Sequence, residues 1–66
     1  MAVMKVIEVL SNSKKSWEDA TAKAVKQAAK SVKNIKSVYV QDQSAIVENG
    51  AVVEYRVNLK LTFQVN

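Results

Sequence analysis

Sixty-six residues with one glycine and no proline, cysteine or histidine leave room for one small domain, residues 1–66, and for few chemistries. Disulfides and thiolate metal sites are excluded, and the usual general base and the commonest remaining metal ligand are absent. Ten Lys and Arg against six Asp and Glu give a charge of +4, which permits contact with nucleic acid or anionic lipid without requiring it.

At this size apolar burial and lost chain entropy nearly cancel, so a small domain needs a staple. With disulfides and the common metal ligands gone, self-association is the one left. The first segment, residues 2–10, is rich in Val, Ile and Leu and predicts a strand. Lys5 and Glu8 interrupt it, which a secretory signal core does not tolerate, and it is too short to span a bilayer. A soluble, cytoplasmic protein is the expectation, and the absence of cysteine fits a reducing compartment.

Ser11, Asn12 and Ser13 supply residues that end strands and cap helices. From Lys14 to Lys33 the period changes. Trp17, Ala20, Ala24, Ala28 and Val32 recur at three- and four-residue steps, and Lys23, Lys26, Lys30 and Lys33 fall on another face. The pattern predicts an amphipathic helix of about 20 residues, with Glu18 and Asp19 at its start and lysines at its end complementing the helix dipole. Its mostly alanine side allows close approach to a sheet, and its lysine stripe reads as a solvated face. No interleaved aromatic residue or groove-reading motif accompanies those lysines, so nucleic acid is not the expected partner.

Residues 36–48 predict a second strand, and Asn49-Gly50 is a hairpin turn in which both positions take positive φ. From Val53 to Val65 apolar and polar residues alternate without a break, giving a strand with one apolar face. The predicted fold is α+β, a β-α-β-β chain whose three-stranded antiparallel sheet curls around one helix. Thirteen residues, 53–65, extend about 40 Å, whereas a globule of 66 residues has a radius of gyration of about 11 Å. The hairpin outruns what one helix shelters, which argues for an assembly.

A two-residue turn at Asn49-Gly50 makes the numbers of facing residues sum to 99. Val38 then faces Leu61, Val40 faces Leu59 and Ile46 faces Val53 on the helix side. Ser37 faces Thr62, Tyr39 faces Lys60, Gln41 faces Asn58 and Gln43 faces Arg56 on the other. This register puts Asp42 and Ser44 on the apolar side, so a bulge near them is expected. There is no glycine-rich phosphate loop or nucleophile elbow, so no enzyme is expected. The six carboxylates form no calcium loop, so a calcium site would have to be assembled between subunits.

The helix opening Ser16-Trp-Glu-Asp-Ala20, the Glu48-Asn-Gly50 turn and the closing Glu54-Tyr-Arg-Val-Asn-Leu-Lys-Leu-Thr-Phe63 strand together resemble the dodecins over nearly the whole chain. The resemblance implies a hollow homododecamer that binds and stores a small molecule without turning it over. The ligand is typically a flavin (riboflavin or FMN), stacked between tryptophans of neighbouring subunits with a glutamine at the ring edge. Coenzyme A and calcium are alternatives within the family. The stacking position falls on Ser37, which has no π face, and the ring-edge position on Arg56, which has no acceptor. Tyr39 offers a weaker platform, and Ser37, Tyr39, Gln43 and Arg56 are the candidate cofactor-binding residues. Trp17, on the helix, reads as a core or interface anchor, and Tyr55 and Phe63 as packing.

Overall fold

A computed structural model describes residues 3–65. In chain order the elements are β1 (Val3–Ser13), α1 (Trp17–Ala28), β2 (Ile35–Glu48) and β3 (Ala51–Val65). The three strands form one antiparallel sheet in the order β1-β3-β2. The alternating strand is thus the central one, paired on both edges. Asn49 and Gly50 take φ of 52° and 77°, the left-handed pair expected of the hairpin turn.

One face of the sheet carries the helix. Leu59 and Leu61 of β3 are fully buried there, and Leu59 clusters with Val57 and the helix residues Ala20 and Ala24. Trp17 and Val9 pack against this core. The alanines let the helix axis approach the leucines closely, as their spacing predicts.

The helix is shorter than its periodicity indicates. Twelve residues are helical, about 18 Å at 1.5 Å per residue, where the pattern extends over about 20. β1 runs on through Ser11–Ser13, and the cap is Ser16, whose hydroxyl accepts from the Asp19 N–H at 3.0 Å. Lys14 and Lys15 are held in the corner, the latter because its N–H donates to Ser13 Oγ at 2.9 Å. At the other end the N–H groups of Lys30 and Ser31 turn back three residues, to the carbonyls of Gln27 and Ala28. Asn34, at φ 64°, then reverses the chain so that Ile35 pairs with Phe63.

Ser11 and Ser13, expected to break the strand, instead bind the helix to it. Ser11 Oγ donates to the Ala20 carbonyl at 2.8 Å, and the buried Ser13 hydroxyl donates to Asp19 Oδ2 at 2.5 Å. The Ser13 hydrogen bond and the Lys23 ammonium, 3.1 Å away, hold the Asp19 carboxyl below its ordinary value of 3.8. A carboxyl lowered by folding contributes stability above its unfolded value, and loses it as pH falls through the native one. The melting temperature is therefore expected to drop in acid below pH 3.8, with Asp19→Asn giving a shallower drop. Thermal melts of both proteins between pH 2 and 6 check this, and identical acid limbs would show that the corner contributes nothing.

The register departs from the simple sum in the middle of the hairpin. Glu48–Ala51 and Val47–Val52 sum to 99, Ile46–Glu54 to Asp42–Asn58 sum to 100, and Val40–Leu59 to Ser37–Thr62 return to 99. Val53 is the extra residue at one bulge and Gln41 at the next, so these two shifts cancel, and a third irregularity at Lys36 brings Ile35 opposite Phe63. Ile46 therefore faces Glu54, not Val53, and Asn58 faces Asp42, not Gln41. Gln43 faces Val57 rather than Arg56, which places it on the helix side. The expected bulge beside Asp42 is present. It turns Asp42 and Ser44 away from the core, onto the face with Asn58 and Arg56.

The molecule is elongated, 51 × 20 × 13 Å with a radius of gyration of 13.6 Å against about 11 Å for a compact chain of this length. Among the described residues no helix is long and apolar enough to cross a membrane.

Candidate functional site

The face of the sheet opposite α1 carries most of the candidate residues. Each residue of β3 there has one partner on each edge strand, and successive rows lie about 7 Å apart. Thr62 is flanked by Val6 and Ser37, Lys60 by Glu8 and Tyr39, Asn58 by Leu10 and Asp42, and Arg56 by Asn12 and Ser44. The first two rows keep the simple register, and the last two lie between the bulges at Val53 and Gln41, without which they would carry Gln41 and Gln43.

Of the candidates, Ser37, Tyr39 and Arg56 share this face and Gln43 does not. Ser37 and Arg56 lie three rows apart, about 20 Å, so within one chain they do not address a single ring. Tyr39 stands between them, 64% exposed. Trp17 is engaged elsewhere, as expected of an anchor. Its ring meets Tyr55 edge-on at 4.9 Å and 74°, and its Nε1–H donates to the Ser44 carbonyl at 2.8 Å.

A small cavity of about 210 Å³ opens on the same face, lined by Leu10, Asn12, Asp42, Ser44, Arg56 and Asn58 together with Val57. Among the described residues Asn58 Oδ1 is the one buried side-chain oxygen or nitrogen without a hydrogen-bond partner. Such an atom costs roughly 1–3 kcal/mol unless something satisfies it. Asp42 and Arg56 line the cavity without pairing, since the one ion pair among the described residues joins Lys23 to Asp19.

Asn12 and Asn58 were not among the residues singled out from the sequence. Asn58 was placed on the polar face opposite Gln41, and Asn12 at the end of the first strand. The signal that could have brought them to Asp42 is its awkward placement on an apolar face, which required a bulge and hence a new partner for Asp42. The described residues hold no group of three or more acidic, His or Cys residues that could bind a metal ion. The cavity of one chain thus offers a carboxylate, an unsatisfied amide oxygen and neutral oxygens, but not a full coordination shell.

Residues 3–66 match the dodecin family model. The chain belongs to the dodecin family. This dodecin is 38% identical over 64 residues to the calcium dodecin of Mycobacterium tuberculosis, covering 97% of this chain and 90% of that one. A crystal structure of that calcium dodecin, described as having a novel calcium-binding site, superposes with a TM-score of 0.83 at 37% identity, over 97% of this chain and 91% of that one. The dodecin from Streptomyces coelicolor superposes with a TM-score of 0.92 at 26% identity, over 98% of this chain and 93% of that one. The β-α-β-β architecture expected from the sequence is therefore the family's own.

Proposed function

We propose that this dodecin is a non-catalytic, cytoplasmic protein that assembles as a homododecamer and binds calcium rather than a flavin. The observation that carries the reading is the oxygen-rich cavity at Asp42, with the unsatisfied Asn58 Oδ1 beside it and no aromatic ring at Ser37. A hard cation takes six to eight oxygen ligands, and carboxylate and amide oxygens are of that kind. Asp42 and Asn58 would hold the ion, with neutral oxygens of Asn12 and Ser44 near it, and a neighbouring copy and water would complete the shell. The Arg56 guanidinium opposes a cation in this cavity, so a neighbour's carboxylate facing Arg56 is part of the reading. The 38% identity to a calcium dodecin supports it.

Titration calorimetry of the assembled protein with calcium chloride is expected to give saturable binding that Asp42→Asn weakens at least tenfold. Riboflavin emission is expected to be unchanged by the parent protein. Strong quenching of riboflavin by a protein that releases no heat with calcium would replace this reading with the flavin one, Tyr39 then serving as the platform.

A further inference from the structure

Charge is segregated along the chain in a way the fold does not use internally. Residues 20–36 contain Lys23, Lys26, Lys30, Lys33 and Lys36 and no carboxylate, and residues 42–55 contain Asp42, Glu48 and Glu54 and no cation. The first stretch borders a groove of about 600 Å³ between α1 and β1. Val9, Leu10, Ala24 and Ala28 line it, and Lys26 and Lys30 stand at it without an ion pair, Lys23 being engaged by Asp19. The second stretch spans the hairpin tip, where Val47 and Val52 face each other across the strands, 60% and 51% exposed. One is an apolar trough with a basic rim and the other an apolar wedge with acidic flanks.

We propose that the hairpin tip of one copy seats in the α1–β1 groove of the next, Val47 and Val52 against Val9, Ala24 and Ala28, with Glu48 and Glu54 meeting Lys26 and Lys30. The tip of the same chain does not reach. The groove lies level with Val57 and Leu59, the β1 partners Ser11 and Val9 marking its height, and the turn at Gly50 is seven residues further on, about 23 Å. A second copy is therefore the occupant. The contact joins two different surfaces, so it repeats from copy to copy and ends only by closing into a ring, which suits a finite shell. It rests on the self-assembly proposed above but not on the calcium reading.

The chain has no cysteine, which makes the test clean. The variant carrying both Val52→Cys and Ala28→Cys, treated with a short bis-maleimide, is expected to give a ladder of covalent oligomers on a denaturing gel, and Val52→Cys alone no product. Cross-linking by Val52→Cys alone, with no ladder from the double variant, would mean that tips meet tips and would overturn the proposal. Independently, K26E with K30E is expected to lower the mass found by light scattering, and adding E48K with E54K to restore it. Reversed lysines that leave the mass unchanged, or a loss that the reversed glutamates do not rescue, would also overturn it. A parent protein that is monomeric defeats the self-assembly reading itself, whereas an assembled parent without the ladder defeats this contact alone.

Discussion

Leu59→Ala is expected to abolish the folded assembly at room temperature. Leu59 is fully buried at the centre of the middle strand, where Val57, Ala20 and Ala24 surround it. Truncating a buried leucine costs about 2–5 kcal/mol in lost transfer energy and residual cavity. A core of this size supplies no more than about 3–5 kcal/mol. Among the described residues only two large side chains are fully buried, Leu59 and Leu61, so little remains to compensate. In the assembly proposed above folding and association are coupled by mass action, so the loss is expected to register twice, as lost secondary structure and as lower mass. Far-UV circular dichroism and light scattering read both, and Leu59→Lys is not needed to see the effect. A melting temperature within about 5 °C of the parent's, equivalent to roughly 1 kcal/mol for a domain of this length, would show that neighbouring copies rather than this core hold the fold.

The second large effect is a gain. Ser37→Trp combined with Arg56→Gln is expected to make the protein bind riboflavin at least about tenfold more tightly, read as quenching of its emission. An aromatic stacking pair contributes about 0.5–1.5 kcal/mol beyond its area, and tenfold in affinity corresponds to 1.4 kcal/mol, so stacking and one edge amide suffice. The two positions lie about 20 Å apart on the face of the sheet opposite α1. They act on one ring only when position 37 of one copy meets position 56 of another. Binding by the double variant is therefore expected to vanish on dilution below the assembly threshold, and each single change to achieve much less. A double variant no better than the parent would mean that the face opposite α1 is not where a flavin would sit.

How much of this was legible beforehand differs by element. The β3 strand was read almost residue by residue, because alternation at period two survives in any sheet with one buried face, and Leu59 and Leu61 followed from it. The turn at Asn49-Gly50 was equally plain, since few dipeptides accept positive φ twice. The helix was located but overdrawn at both ends. Its periodicity continues through Val32 in residues the chain spends on turning back, and at the start the cap is Ser16, whose Ser16-Trp-Glu-Asp19 spacing fits a capping box where Ser13-Lys-Lys-Ser16 does not. The candidate site was read less well. Ser37, Tyr39 and Arg56 fell on the expected face, Gln43 fell on the other, and Asn58 was overlooked. A bulge near Asp42 was foreseen from its poor fit, but not its compensating partner at Val53, so the register between them was off by one.

Residue order by itself determined the element sequence, the hairpin and the buried leucines, because each depends on local pattern. Only the tertiary structure decided which polar side chains stand together. A single inserted residue in a strand reverses the face of everything up to the next insertion, and where that insertion settles depends on strand pairing rather than on any one segment's preference. The cavity at Asp42 and Asn58, the groove beside α1 and the reach of the hairpin beyond it are all products of that pairing.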